Sequence, residues 1–174
     1  MKYMKKLEIL KYPHPFLKKV GKPVPDNAIN NALHGTINEM FSIMYELNGG
    51  GLAATQVGLD MRIFIMDSSK NKDQPIIAIN PKIIEQEGEI YEKEGCLSFP
   101  GVIAKVKRAK WVKMNALNIF GEQYELKTNG YLSRCIQHEL DHLNGITYFD
   151  HLSILKRSII EKKYRKLLQS NTNV

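Results

Sequence analysis

The stretch Gln137-His138-Glu139-Leu140-Asp141-His142 constrains this chain more than any other. Two histidines four residues apart lie on one face of an α-helix, where both imidazoles can close on a single metal ion. Glu139 stands beside the first of them, within reach of a water held by that ion. This is the His-Glu-x-x-His pattern of a metal-assisted hydrolase. Ordinary residue frequencies put a chance match in a chain of this size at about one per cent or less. The competing account is a surface helix whose histidines fall four apart by accident. Asn129 is placed to cap the motif's helix, and Asn144-Gly145 to end it. The pattern leaves open the third ligand and the bond that is broken.

At 174 residues the chain is long enough for one domain over 1–174, with a core that needs no staples. Apolar residues at 43% and charged residues at 25% are ordinary for a globular protein. No apolar run reaches the length of about eighteen residues that a membrane span needs. Residues 1–10 carry lysines but lack the apolar region and cleavage site of a secretory signal. A cytoplasmic setting without a membrane partner follows as the expectation, with Cys96 and Cys135 as free thiols. The net charge of +7 is unevenly spread: residues 156–166 hold Lys156, Arg157, Lys162, Lys163, Arg165 and Lys166 against one acid, Glu161. Such a face suits a polyanion such as ribosomal RNA, although a charge run is first of all a solvated helix face.

Taken in order, Tyr12-Pro13-His14-Pro15 reads as a stiff loop. Asp26 or Asn27 is placed to cap a helix running to about residue 47, with Ile29, Leu33, Ile37, Met40, Phe41 and Met44 at three- and four-residue steps. Its methionines read as core filler, and His34 as structural or exposed. Asn48-Gly49-Gly50-Gly51 stops it, three glycines opening backbone conformations closed to other residues and letting a second chain come near. Without a Gly-Lys-Ser/Thr ending this is not a nucleotide loop. Residues 61–66, 76–79, 83–91, 102–108, 111–119 and 124–127 read as strands. A last helix over 153–169 places Leu152, Leu155, Ile159, Tyr164, Leu167 and Leu168 in an apolar stripe opposite the lysines.

Three readings of the third ligand compete. One metalloprotease class has a histidine six residues beyond the second ligand, where this chain has Tyr148. Another takes a glutamate from a following helix, for which Glu161 is at a plausible distance. Cys96 is the third: a thiolate with two imidazoles leaves a fourth position for water. Around it, Gly49-Gly50-Gly51-Leu52-Ala53-Ala54-Thr55-Gln56, Glu94-Gly95-Cys96-Leu97-Ser98 and Gln137-His138-Glu139-Leu140-Asp141-His142 together resemble the three motifs of peptide deformylase, in that family's order and spacing.

The resemblance implies an α+β domain, with antiparallel sheets around a central helix bearing the histidines and a C-terminal helix behind. It implies hydrolysis of the formyl group from the formyl-methionine that begins new chains, with release of formate. By position, Cys96, His138 and His142 would be the metal ligands and Glu139 the general acid/base. The Gln56 amide and the Leu97 N–H would face the developing oxyanion, with Arg108 pairing Glu94 behind the metal. Gly50, Gly51, Gly95, Tyr131, Arg134 and Cys135 would line the substrate site. The implied cofactor is one divalent ion, ferrous iron with zinc, nickel or cobalt as substitutes; the implied state is a monomer. Most members carry an aliphatic residue where this chain has Gly50, so a looser pocket wall is expected there. In some members the C-terminal helix docks on the ribosome, a role that the basic face here would suit. The rivals are a metallo-endopeptidase using Glu161 and a basic RNA-binding module with a purely structural metal.

Overall fold

The computed structural model describes residues 6–171. The expectations for residues 1–5 and 172–174 lie outside the described residues. Among the described residues seven strands and three α-helices make an α+β architecture: α1 (Asn31–Glu46), β1 (Gly51–Ala53), β2 (Ile63–Met66), β3 (Ile76–Glu87), β4 (Ile90–Glu94), β5 (Ala104–Arg108), β6 (Trp111–Leu117), β7 (Gln123–Asn129), α2 (Gly130–Leu143) and α3 (Ile154–Asn171). Five strands pair antiparallel in the order β1-β2-β3-β6-β7, and β4 pairs with β5 in a separate hairpin.

Strand β2 explains how the layers stack. All four of its residues are apolar and buried. Ile63 and Ile65 face α1, packing with Leu33, Ile37, Met40 and Met44. Phe64 and Met66 face the other way, with Met114, Ile136 and Leu143. An uninterrupted apolar run is what a strand covered on both faces needs. The motif helix α2 thus lies against the sheet's second face, on the side opposite α1. Among the described residues no helix is long and apolar enough to cross a membrane.

Several boundaries differ from the sequence expectation. Helix α1 is capped by Asn30, whose side-chain oxygen accepts from the N–H groups of Ala32 and Leu33; residues Asp26–Ala28 form a separate 3-10 turn. The expected strands 76–79 and 83–91 are instead one strand, β3, and the start of β4. Pro81 cannot donate to the ladder, and β3 absorbs it with a register shift between Ile79 and Lys82. There Asn80 takes a left-handed backbone and its side chain clasps both the N–H and the carbonyl of Val24 at 2.8 Å. Asn129 does precede α2, but its side chain makes no capping bond. At the other end Gly145 has φ +70°, as the glycine signal requires.

The largest difference is the face of α3. Leu155 and Ile159 are 71% and 61% exposed, whereas Ile160, Tyr164, Leu167 and Leu168 pack inward. They meet Phe99, Tyr148 and Phe149, an aromatic cluster in which Phe99 lies 4.5 Å from Phe149 and 4.9 Å from Tyr12 between ring centroids. Phe99 comes three residues after Cys96, so this cluster anchors the Cys96 loop.

Candidate metal centre and active-site cavity

Three segments converge on one cavity of about 300 Å³: β1 with the glycines before it, the loop after β4, and one face of α2. The helix contributes Tyr131, Arg134, Cys135, His138 and Glu139, whose steps of three and four keep them on one side. Residues 48–51, Gln56 and residues 93–97 complete the lining, Gly50, Gly51, Glu94, Gly95, Cys96 and Leu97 among them. His142 and Arg108 lie buried behind this wall.

At the floor, one ligand atom each from Cys96, His138 and His142 lies within 4.8 Å of the other two. Cys96 Sγ is 3.2 Å from His142 Nε2. His138 Nδ1 is 3.0 Å from Glu94 Oε2. That carboxylate only accepts, because its pKa is held at about 2: burial raises it, and hydrogen bonds from His138 and Arg108 more than offset the burial. Nδ1 of His138 therefore carries the proton, and Nε2 is left to the shared centre. His142 is kept well below the ordinary histidine pKa, by burial first and then by facing His138, so its ring is neutral and ligand-ready. For His138 burial opposes charge, but Cys96 and Glu94 outweigh it and raise the pKa. Two more buried atoms, Nδ1 of His142 and Oε2 of Glu139, have no hydrogen-bond partner among the described residues. A soft thiolate, two imidazoles and converging geometry fit a divalent ion with an open fourth position.

Behind this centre runs a chain of buried charges. Arg108 grips Glu94 through Nε (2.9 Å) and Nη2 (3.0 Å), and Asp141 through Nη1 (2.5 Å). Asp141 is also 2.6 Å from His151 Nε2. Gln137 ties α2 to the β5–β6 turn, accepting from Ala109 N–H at 2.9 Å and donating to its carbonyl at 3.0 Å. Asp141, His151 and Gln137 received no role from the sequence. The first and last lie inside the histidine motif, but their partners are remote in sequence. His151 carried no signal at all.

In front of the centre, Gln56 is held at both ends. Its oxygen accepts from Ala53 N–H at 2.8 Å, and its nitrogen donates to Ser98 Oγ at 3.1 Å and reaches Cys96 Sγ at 3.4 Å. Ser98, quoted in the cysteine motif, thus acquires a function as the orienter of Gln56. Leu97 sits in the turn beside Cys96, and its backbone N–H has no partner among the described residues. Burial, as the first cause, pushes the Glu139 carboxyl up to about 7.

Two expectations about the glycines change. None of Gly49, Gly50 and Gly51 has a left-handed backbone; that conformation falls on Asn48, at φ 53°. Their value is close approach. Nor is the wall looser at Gly50, because the hydroxyl of Tyr131 occupies the space a side chain there would take. The residues at the two rival positions are engaged elsewhere. Tyr148 is buried and donates to the Val102 carbonyl at 3.2 Å, and Glu161 accepts from the Tyr12 hydroxyl at 2.8 Å.

The match to known proteins covers nearly the whole chain. The family model described as polypeptide deformylase matches residues 6–158. A peptide deformylase of Chromobacterium violaceum is 46% identical over 165 residues, covering 95% of this chain and 98% of the relative. One from Tolumonas auensis is 44% identical over 167 residues, covering 96% and 99%. The crystal structure of a peptide deformylase from Legionella pneumophila superposes with a TM-score of 0.92 at 38% identity, over 98% of this chain and 99% of that one. That from Synechococcus elongatus, solved in complex with actinonin, gives 0.87 at 34% identity over 92% and 89%. With the cysteine, the two histidines and the glutamate meeting at one cavity of the same fold, this chain belongs to the polypeptide deformylase family.

Proposed function

We propose that this chain hydrolyses the N-formyl group from the amino-terminal formyl-methionine of newly made polypeptides, leaving formate and a free amine. The observation that carries the reading is the approach of Cys96, His138 and His142 to within 4.8 Å of one another beside the buried Glu139. In this reading those three residues hold one divalent ion, ferrous iron, for which zinc, nickel or cobalt can substitute. The ion would supply Lewis acidity, making water in the cavity a nucleophile near neutral pH.

The remaining work falls to the chain's own groups. Glu139 takes the proton of the attacking water at Oε2, and the water oxygen adds to the formyl carbon. The formyl oxygen gains charge and is met by Gln56 Nε2 and the Leu97 N–H. Losing one such donor typically costs about 100- to 1000-fold in rate. The C–N bond then breaks as Glu139 passes its proton to the leaving nitrogen. Formate departs with the water's oxygen. Backbone at Gly51 and Gly95 pairs with the peptide main chain, a mode that reads any sequence. Gly50, Tyr131, Arg134 and Cys135 surround the methionine side chain, and Glu94 with Arg108 holds His138 in place.

The test is formate release from a formyl-Met peptide by anaerobically purified, metal-analysed protein. Glu139→Ala is expected to keep the metal and lose formate release, and Cys96→Ala to lose the metal. Metal-loaded wild-type protein that releases no formate overturns the reading. Retention of full metal by Cys96→Ala overturns the ligand set.

The same reading makes residues 1–174 one catalytic domain, acting as a monomer in the cytoplasm. It also makes the basic face of α3 a ribosome contact. Lys162, Lys163 and Lys166 are exposed there, with no acidic partner among the described residues. Charge reversal at these three and Arg165 is expected to abolish co-sedimentation with ribosomes at low salt.

A further inference from the structure

The β4–β5 hairpin sorts its charges by face. Directly opposite residues of an antiparallel pair share a face, and successive residues alternate between faces. Glu92 stands opposite Val106 and Glu94 opposite Ala104, on the side where Val106 and Ala104 are buried. The other side presents Tyr91 opposite Lys107 and Lys93 opposite Lys105, all four exposed. The glutamates of β4 therefore point away from its lysines, and Glu94 is already engaged by Arg108 and His138.

On the outer face cations outnumber acids. Lys107 pairs with Glu89. Lys105 Nζ and Lys156 Nζ lie 5.8 Å and 5.5 Å from the centre of the Tyr91 ring, and Lys156 also donates to the Tyr91 hydroxyl at 2.8 Å. Among the described residues neither Lys93 nor Lys105 has an ion-pair partner. Like charges directly opposite one another destabilise a strand pair, and an anion between them relieves the repulsion.

This stripe leads to the active-site cavity. Past the pair Glu94 and Ala104, the next residues on the outer side are Gly95 and Ile103, and a Cβ on Gly95 would lie 3.4 Å from Ile103 Cγ2. Lys93 and Gly95 both line the cavity, two residues apart on one face, a rise of about 7 Å. A peptide whose main chain pairs at Gly95 carries its following residues past Lys93 and Lys105. The carboxylates of the cavity itself, Glu94 and Glu139, are buried and do not screen the strip.

We propose that Lys93 and Lys105 are a docking strip for acidic side chains that follow the first residue of the substrate, so that formyl peptides with carboxylates at their second to fourth positions are preferred. This rests on the deformylase reading above and deepens it. Main-chain pairing reads any sequence; the two lysines add a preference by charge. A single RNA strand is the other polyanion that suits a row of lysines, and the continuity of the strip with the cavity favours the peptide.

The experiment measures kcat and KM, at matched metal content, for amidated formyl tetrapeptides. In them methionine is followed by three glutamates, three glutamines or three lysines. At low salt the wild type is expected to favour the glutamate peptide over the glutamine peptide by about fivefold, the upper range for an exposed charge pair. The gain should fall in KM with kcat unchanged, because the contact is the same before and during the reaction. In about 1 M salt, where the screening length is about 3 Å, the preference should shrink to within about twofold. Lys93→Gln/Lys105→Gln is expected to flatten the ratio at low salt, and Lys93→Glu/Lys105→Glu to turn it towards the lysine peptide. Equal kcat/KM for the glutamate and glutamine peptides in wild type, or a preference that survives in both double variants, overturns the proposal. Should the double variants not fold, the wild type decides, and a preference unmoved by salt overturns it. Equal kcat/KM together with lysine-dependent retention of poly-uridylate on a filter assigns the face to RNA instead. Absence of formate from all three peptides sinks the underlying deformylase reading. That outcome is distinct from an active enzyme indifferent to charge.

Discussion

Gly51 passes so close to Glu139 that a single methyl group on the glycine would stand 2.5 Å from the carboxylate Oε1 and 2.9 Å from Cδ. The third glycine of the loop is thus required by a side chain on a helix 88 residues away, because only bare backbone leaves room for the buried acid. Gly51→Ala must push the carboxylate aside. Misplacement of a catalytic group by about 1 Å can cost about 100-fold, so kcat/KM for deformylation should fall by about that factor. Melting temperature and metal content should hardly move. Undiminished kcat/KM would mean that the carboxylate need not stand where it does.

Gly35 provides the contrast. It lies within α1, exposed, and a Cβ there would meet nothing within 4 Å. Glycine inside a helix costs about 0.8–1.0 kcal/mol relative to alanine. Gly35→Ala should therefore raise the melting temperature by about 2–4 °C in a protein of this size and leave kcat/KM unchanged. A lowered melting point would contradict the open surroundings of this residue.

Among the described residues Arg108 is the one arginine or lysine that Glu94 and Asp141 both grip; Glu94 also meets His138, and Asp141 also meets His151. Its side chain is 4% exposed and that of Glu94 7%. Arg108→Ala strands two buried carboxylates, and breaking a buried pair from one side costs about 3–5 kcal/mol. Denaturant titration should register that loss. Loss of the support behind His138 should also weaken metal retention by about 10- to 100-fold, measurable by competition with a chelator. Retention at the wild-type level would detach this network from the metal centre.

Asp150 offers a pH test away from the centre. Its carboxylate accepts from Thr147 N–H at 2.8 Å, from Lys18 Nζ at 2.5 Å and from Arg157 at 3.1 Å. Burial raises its pKa, but the bonds from Lys18 and Thr147 outweigh burial and hold it below the ordinary carboxylate range. A pKa lowered in the folded state contributes stability that is present above the unfolded value of about 3.9 and lost as pH falls through the folded value. Melting curves from pH 5 downward should therefore drop less steeply for Asp150→Asn than for wild type. Parallel curves would remove Asp150 from the acid response.

What was legible in the sequence is whatever short spacing determines. Four-residue steps put His138 and His142 on one face whatever surrounds them, and alternate positions of a strand point to opposite sides. The sheets-and-helix class and three local motifs followed from that kind of regularity, together with likeness to a known family. Spacing could not say which face of α3 would be buried. Leu155 and Ile159 were as apolar as Ile160 and Tyr164, and the position of Phe99 and Phe149 chose between them. Nor could it join 76–79 to 83–87 across Pro81, because a bulge depends on the partner strand β6. The reasons for the glycines and the Arg108 bonds to Glu94 and Asp141 both involve atoms brought together from distant parts of the chain. The local pattern of residues determined which groups exist and which faces they share. Only the packed structure decided what each face meets, because burial and close contact belong to pairs of surfaces and not to one segment.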